Sequence, residues 1–241
     1  MSNQSNQPPQ QPQLIRLNKF LAERLGISRR EADDLIASSK IFVDDKTAVL
    51  GTRIVPDSVV RLGDEIIPFQ NEYIYIMMNK PVGYVCSRKR QGETPTIYEL
   101  LPGKYQKLKT VGRLDKDSSG LILFTNDGDF AYQMTHPKFV KTKIYHVRLN
   151  RDLEPLHQQM IADFGVKLED GVSKLGLTRL DEGETRQNFE VTMSEGRNRQ
   201  IRRTFAALGY EVKKLHRLSF GKYDLGDLKS GEIKLVTKQL G

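Results

Sequence analysis

The hydrophobic pattern of this chain changes near residue 72, which divides it into two segments of different architecture. Before this point, two helical patterns precede strand-like pieces of two to four residues. After it, longer apolar runs typical of buried strands, such as residues 73–78, are interleaved with helical patterns without a regular β-α-β rhythm. We therefore predict an α+β fold, with a small module at 14–71 and a larger domain at 73–241 built on a mixed, largely antiparallel sheet with flanking helices. Residues 1–13 contain three prolines and nothing to bury, and we expect them to be a disordered tail.

The small module begins with two short helices. Apolar residues recur at helical spacing from Leu17 to Leu25 and stop at Gly26, a residue type that favours a helix C-terminus. Ser28 and Glu31 have the spacing of a capping box, in which each side chain bonds to the backbone N–H of the other residue. The sequence therefore predicts a second helix beginning at Ser28, followed by short strands separated by glycine and proline.

The charge of the chain is strongly positive and unevenly distributed. The net charge is +8 with a pI of about 9.4, which indicates a polyanionic partner. Residues 1–72 hold 9 Lys/Arg and 10 Asp/Glu, whereas residues 73–241 hold 29 and 20. Within the first segment, residues 16–30 nevertheless contain five basic residues and only one acidic residue, so a basic helical surface is expected there. A solvated charged face is the alternative for a single run of this kind.

Several features bear on the compartment. No run approaches the roughly 20 apolar residues that a membrane span requires, and the N-terminus has no charged region followed by an apolar stretch. A single cysteine, Cys86, excludes an intrachain disulfide and fits a reducing environment. These features predict a cytoplasmic protein without a membrane span.

Four carboxylates lie within fifteen residues: Asp115, Asp117, Asp127 and Asp129. The segment from Asp115 follows the start of an EF-hand loop, but Asn126 occupies the position of the bidentate Glu, which excludes calcium. The four histidines show no ligand spacing, so we expect no metal. No glycine-rich phosphate loop precedes a helix. The composition leaves a Ser-His-Asp arrangement open, although no serine lies in a recognisable nucleophile elbow.

Asp115 is the carboxylate with the strongest claim to function. A single Asp in such a turn is more often a cap or turn former. Here, however, Gly112 and Gly120 bracket the loop and allow another backbone or a ligand to approach closely. The basic segment 196–203 is a potential source of a cation that keeps the carboxylate ionised.

Five segments in order resemble the motifs of the RsuA/RluB/RluF family of ribosomal RNA pseudouridine synthases. They are residues 79–83 (NKPVG), 111–121 (VGRLDKDSSGL), 125–128 (TNDG), 143–145 (KIY) and 195–203 (EGRNRQIRR). The resemblance covers roughly residues 14–236. The chain departs from the family at Ser118, Ser119 and Ile144.

The resemblance implies roles for particular residues. Asp115 corresponds to the nucleophilic Asp, Tyr145 to the Tyr that packs under the target base, Arg202 to the Arg that pairs with the Asp, and Leu215 to an apolar residue lining the pocket. Further substrate contacts are expected from Arg113 and from three arginines of the last motif, for which we favour phosphate binding: Arg197, Arg199 and Arg203.

The small module resembles the S4 RNA-binding domain. The resemblance rests on residues 26–32 (GISRREA), the strand at 41–43 and residues 61–64 (RLGD). It implies that the two basic helices grip RNA phosphates, and the contacts expected are Arg16, Lys19, Arg29 and Arg30, with a weaker one from Lys40. Asp44 and Asp45 stand where the family has Asn-Gly, so we expect this turn to differ.

The resemblance predicts an enzyme that isomerises one or a few uridines of ribosomal RNA, with the large subunit favoured over the small one. Pseudouridine formation gains and loses no atoms, so no cofactor, metal or energy source is expected. We expect a monomer whose partner is ribosomal RNA. Two alternatives remain: a non-catalytic RNA-binding or ribosome-assembly protein, and a metal-dependent phosphodiesterase using the carboxylate cluster.

Overall fold

The computed structural model describes residues 14–69 and 72–240, so the predicted tail at 1–13 lies outside the described residues. The chain divides into two compact units between Tyr73 and Ile74. Among the described residues, the helices are all too short or too polar to cross a membrane.

The first unit contains two helices, a four-stranded antiparallel sheet in the order β3-β2-β5-β6, and a separate pair β1-β4. The elements are β1 (Ile15–Arg16), α1 (Leu17–Arg24), α2 (Arg29–Ala37), β2 (Ile41–Val43), β3 (Lys46–Thr47), β4 (Arg53–Ile54), β5 (Val60–Leu62) and β6 (Glu65–Ile66). The predicted capping box is present: the Glu31 N–H donates to Ser28 Oγ (3.1 Å), and the Ser28 N–H donates to the Glu31 carboxylate (2.6 Å). Leu17, Leu21 and Ile41 are fully buried in the unit's own core.

The turn between β2 and β3 is formed by Asp44 and Asp45, both with positive φ (48° and 64°). This is the left-handed geometry that two-residue hairpins require and that Asn-Gly usually supplies. Both carboxylates accept hydrogen bonds, Asp44 from the Val59 N–H (2.8 Å) and Asp45 from the Arg61 guanidinium (2.6 Å). The two carboxylates thus support a left-handed turn with side chains other than Asn-Gly, and the expectation that this turn differs from that of the family stays a prediction.

The second unit is built on a nine-stranded sheet in the order β13-β14-β10-β15-β9-β7-β17, with β16 beside β15 and β8 beside β9. The strands are β7 (Tyr75–Lys80), β8 (Lys109–Val111), β9 (Ser119–Thr125), β10 (Lys143–Leu149), β13 (Gly176–Arg179), β14 (Asn188–Met193), β15 (Val212–Phe220), β16 (Tyr223–Asp224) and β17 (Ile233–Leu235), and a separate hairpin joins β11 (Val166–Leu168) to β12 (Gly171–Ser173). Every pairing is antiparallel except that of β9 with β15, which confirms the predicted mixed, largely antiparallel sheet.

The helices of the second unit are short. They are α3 (Gly128–Thr135), α4 (Pro155–Gln159), which continues as a π-helical turn at Met160–Phe164, and α5 (Gln200–Ala206), with 3-10 turns at Ile97–Leu100, Gly103–Tyr105 and Pro137–Phe139. The sequence has a helical pattern over residues 197–208, but α5 begins three residues after the start of that pattern. Arg199 adopts a left-handed conformation (φ 44°, ψ 32°) just before α5, so the segment from Glu195 to Arg199 is a loop.

Strand β9 is buried on both faces, and Gly120 near its start lies close to the backbone of Arg217. Ile122 and Phe124 belong to one core cluster, whereas Leu121 and Leu123 belong to another. At the start of the strand, Gly120 has a φ of 106°, and a Cβ on this residue would lie 2.2 Å from the Arg217 carbonyl oxygen. Only glycine permits this approach, which confirms the close backbone contact predicted for this position.

Candidate active site

A cleft of about 470 Å³ opens in the second unit, at the junction of the loop that carries Asp115 (residues 112–118, the Asp115 loop), the loop at 194–199 with the start of α5, and strands β10 and β15. The structure brings together six of the residues selected from the sequence along its walls: Arg113, Asp115, Tyr145, Arg197, Arg199 and Leu215. Tyr145 and Leu215 are each only 7% exposed and pack into the large core cluster, which gives this part of the cleft an apolar wall. Arg113 is exposed to solvent.

Lys80, the last residue of β7, forms hydrogen bonds to the backbone of the Asp115 loop. This side chain is fully buried, and its ammonium group donates to the carbonyls of Ser118 (2.7 Å), Asp115 (3.0 Å) and Pro81 (3.0 Å). Burial lowers the pKa of Lys80, while Cys86, Asp115 and Asp117 oppose this effect electrostatically. Lys80 thus ties the loop to the buried strand, a role that the sequence analysis missed. The available signal was a charged residue at the end of a mainly apolar strand, directly before Pro81.

Arg199 is the cation nearest to the Asp115 carboxylate. Its Nη1 lies 3.6 Å from Asp115 Oδ2, and its guanidinium donates two hydrogen bonds to Asp117 (3.1 and 3.0 Å). The left-handed backbone of Arg199 places this residue ahead of α5, beside the loop. Asp115 therefore has a half-exposed carboxylate (35%) with a cation beside it.

Arg202 is arranged differently from the pairing that the resemblance implies. Its Nη1 donates to the Val212 carbonyl (2.7 Å), its Nη2 donates to the Asp117 carbonyl (2.9 Å), and its Nε lies 3.3 Å from the Asp117 carboxylate. The carbonyls of Val212 and Asp117 hold the Arg202 guanidinium beside Asp117. Arg199 is therefore the ion-pair partner of Asp115. A catalytic role for Arg202 stays a prediction.

Asp117 joins both arginines to the loop. Burial raises the pKa of its carboxyl, but the hydrogen bonds from Arg199 and the charge of Arg202 outweigh this effect and hold the pKa below its ordinary value. The carboxylate is therefore ionised at neutral pH. In the sequence Asp117 belongs to the acidic cluster, but no motif there identifies its two arginine partners.

We expect Asp117→Asn to lower the rate of the reaction that occurs in the cleft by roughly 10- to 100-fold, with a much smaller effect on KM. The amide keeps the shape of the carboxylate but not the charge that fixes the two arginines, and a charged hydrogen bond contributes about 1.5–3 kcal/mol. Measuring kcat and KM separately tests this. Asp170→Asn is the matched control because Asp170 also binds two arginines, Arg197 (2.9 Å) and Arg203 (2.7 Å). Equal losses in both variants would contradict a specific role for Asp117.

Arg197 and Arg203 hold the β11-β12 hairpin against the loop before α5. Besides its ion pair with Asp170, Arg197 donates to the carbonyls of Gly171 (3.1 Å) and Val172 (2.9 Å). The structure thus gives both arginines protein partners, and their binding to RNA phosphate stays a prediction. Among residues 14–69 and 72–240, no group of three or more His, Cys, Asp or Glu side chains is placed to hold a metal ion.

Comparison with known proteins bears on the chemistry of this cleft. Residues 74–207 match the model of a family described as RNA pseudouridylate synthase. The ribosomal small subunit pseudouridine synthase A of Pasteurella multocida is 36% identical over 231 residues, covering 93% of this chain and 97% of the relative. The ribosomal large subunit pseudouridine synthase B of Bacillus subtilis is 31% identical and covers 92% of each chain. A crystal structure of a pseudouridylate synthase superimposes with a TM-score of 0.66 at 34% identity, covering 92% of this chain and 96% of that one.

Proposed function

Because this chain belongs to the RNA pseudouridylate synthase family, we propose that it isomerises specific uridines of ribosomal RNA to pseudouridine, with Asp115 as the reacting carboxylate. The observation that carries the proposal is the position of Asp115 in the cleft. Its backbone is fixed by Lys80, its carboxylate lies 3.6 Å from Arg199, and Tyr145 lines the same cleft.

The reaction breaks the N1–C1′ glycosidic bond of uridine, turns the uracil, and joins its C5 to the same C1′. A carboxylate assists this chemistry either by attacking C1′ or by stabilising positive charge on the sugar, as in glycoside hydrolysis. In our proposal Asp115 takes this part and Tyr145 stacks on a uracil extruded from the RNA helix. Loss of the proton from C5 and protonation of N1 complete the reaction, and the Tyr145 hydroxyl is a candidate for removing the C5 proton. The isomerisation conserves all atoms and therefore needs no cofactor.

Ribosomal RNA is the proposed substrate for two reasons. The relatives named above are synthases of the small and the large ribosomal subunit. In addition, the second segment carries the excess of Lys and Arg that a polyanionic partner requires. Our expectation of a large-subunit target remains a prediction, because relatives of both kinds match. We further propose that the protein acts as a cytoplasmic monomer.

The experiment that tests this proposal is incubation with small- and large-subunit RNA containing C5-tritiated uridine. We expect tritium release in one of the two, in the presence of a chelator, followed by mapping of pseudouridine to one or a few positions. No release from either RNA would contradict the proposal and favour a non-catalytic RNA-binding protein. RNA cleavage that a chelator abolishes would favour a metal-dependent phosphodiesterase.

We also propose that the first unit binds RNA as S4 domains do. Arg16, Arg29 and Arg30 are exposed, and Lys19 is half-buried. Arg29 and Arg30 lie in the first turn of α2, between the two residues of the capping box. Their side chains therefore extend into solvent from a helix whose start is fixed.

The double variant Arg29→Ala/Arg30→Ala is expected to bind ribosomal RNA about tenfold more weakly. The slope of its salt dependence should fall by about one unit for each phosphate that the variant no longer binds. Affinity measured across a range of salt concentrations tests this. Lys46→Ala/Lys89→Ala is the matched control because it removes two exposed basic residues outside the two helices. The same reduction of slope in both variants would indicate a general effect of charge rather than a surface on these helices.

A further inference from the structure

Lys143 and Arg217 are two basic residues of the cleft that the proposed mechanism does not use. Arg217, on β15, is 2% exposed, and its Nε donates to the Leu121 carbonyl (2.7 Å). Its Nη2 is buried and has no hydrogen-bond partner among the described residues. A buried N–H donor without an acceptor is rare in a native protein and indicates a missing ligand or water.

Lys143, on β10, lies close to Arg217. The two cationic groups lie over the same aromatic ring, that of Phe220, at 4.9 Å for the Arg217 guanidinium and 5.5 Å for the Lys143 ammonium. Lys143 donates to two carbonyls, those of Lys141 (3.0 Å) and Glu195 (3.3 Å). Burial lowers the pKa of Lys143 to about 8, and the positive charge of Arg217 contributes to the same shift.

The acidic residue that faces this pair is already engaged. The Glu195 carboxylate accepts hydrogen bonds from Arg197 (3.1 Å) and from the Gln200 side chain. The charge of Glu195 raises the pKa of Lys143, but this effect is smaller than the lowering caused by burial and by Arg217. Glu195 is thus shared with other donors, and an anion binding beside Lys143 and Arg217 would offset their mutual repulsion.

From this geometry we infer that Lys143 and Arg217 form an anion subsite that binds a backbone phosphate of the substrate RNA next to the target uridine. The identity of the anion rests on the proposed function. Arg217 is the cross-strand neighbour of Tyr145, and neighbouring strands lie about 5 Å apart. A phosphate at the subsite would therefore lie beside a base in contact with Tyr145. A neutral uracil carbonyl would satisfy the free N–H but would leave the two positive charges uncompensated, so the charges favour a phosphate.

The subsite itself is tested with inorganic phosphate and without RNA. At pH 8 a lysine of pKa about 8 is about half neutral, so Lys143 is expected to react with an amine acylating reagent well before ordinary lysines. Inorganic phosphate should slow the labelling of Lys143 in the wild-type protein, relative to chloride at equal ionic strength, and should not do so in Arg217→Gln. Labelling is read for each lysine by mass spectrometry. Lack of protection, or equal protection in Arg217→Gln, would overturn the subsite.

The assignment to the RNA backbone is tested with substrate fragments that carry a neutral methylphosphonate in place of one phosphate at a time. One position beside the target uridine should weaken binding to the wild-type protein roughly tenfold and have little further effect on Lys143→Gln. Arg148→Gln is the matched control because Arg148 alternates with Val147 to the opposite face of β10 and is exposed. The same losses in wild type and Lys143→Gln at every position would overturn this assignment.

These two experiments separate the subsite from the proposed function. The unmodified fragment is first assayed for pseudouridine formation with the wild-type protein. Failure at that step contradicts the proposed function, whereas the phosphate-protection experiment still tests the subsite. If Arg217→Gln fails to fold, thermal stabilisation by inorganic phosphate in wild type and in Lys143→Gln serves the same purpose, with loss of stabilisation in the variant expected. Equal stabilisation of both proteins would overturn the subsite.

Discussion

Asp115→Asn is expected to abolish pseudouridine formation, with a rate loss of roughly 10⁴-fold or more, the scale reached when a reacting group is removed from an active site. The amide retains the shape of the side chain but is a poor nucleophile and carries no negative charge to stabilise the sugar. RNA binding should stay within about twofold of wild type, because most of the affinity for RNA comes from phosphate contacts elsewhere. Tritium release from C5-labelled uridine measures the first effect, and fluorescence anisotropy measures the second.

The stability of this variant should change little. The Asp115 carboxylate is half-exposed and its cation lies 3.6 Å away, so the ion pair contributes at most about 1 kcal/mol. Urea denaturation should therefore give the same midpoint for both proteins. Asp163→Asn, which removes an exposed carboxylate near the end of the π-helical turn, is the matched control and should retain full activity. Tritium release by Asp115→Asn at the wild-type rate would remove Asp115 from the mechanism.

The sequence predicted those parts of the molecule that depend on local pattern. The capping box at Ser28 and Glu31 follows from a spacing of three residues, and the strand containing residues 121–124 follows from an apolar run. Arg199 was harder to place. The sequence from residue 197 onward has a helical pattern, but the left-handed backbone of Arg199 delays the start of α5 to Gln200 and brings the Arg199 side chain to Asp115.

The cleft itself was predicted in part. The resemblance selected Asp115, Tyr145 and Leu215, which the structure brings to one cleft although they are far apart in the chain. It did not identify the partners that hold them. Lys80 binds carbonyl oxygens 35 and 38 residues away, and Arg217 reaches a carbonyl 96 residues away. Every residue type has a main-chain carbonyl that can accept a hydrogen bond. The sequence of the accepting residue, and hence the spacing of motifs, therefore does not reveal these contacts.

Lys80→Met is expected to destabilise the second unit by about 3 kcal/mol or more and to lower kcat strongly even where the protein is fully folded. The wild-type ammonium donates to three carbonyl oxygens, and hydrogen bonds from a charged group contribute about 1.5–3 kcal/mol each. Methionine fills much of the same space but leaves these oxygens without that donor. The loop carrying Asp115 would then move relative to the cleft, and misplacement by about 1 Å can cost about 100-fold in rate.

Lys116→Met separates this effect from a general loss of positive charge near the loop. Lys116 belongs to the same loop but is exposed, and its ammonium donates to the Thr94 hydroxyl (3.0 Å). Urea denaturation and steady-state kinetics on both variants should show a lower midpoint and a lower kcat only for Lys80→Met, with KM changing less than kcat. A Lys80→Met protein that loses stability but keeps its kcat would show that the lysine supports the fold without positioning Asp115.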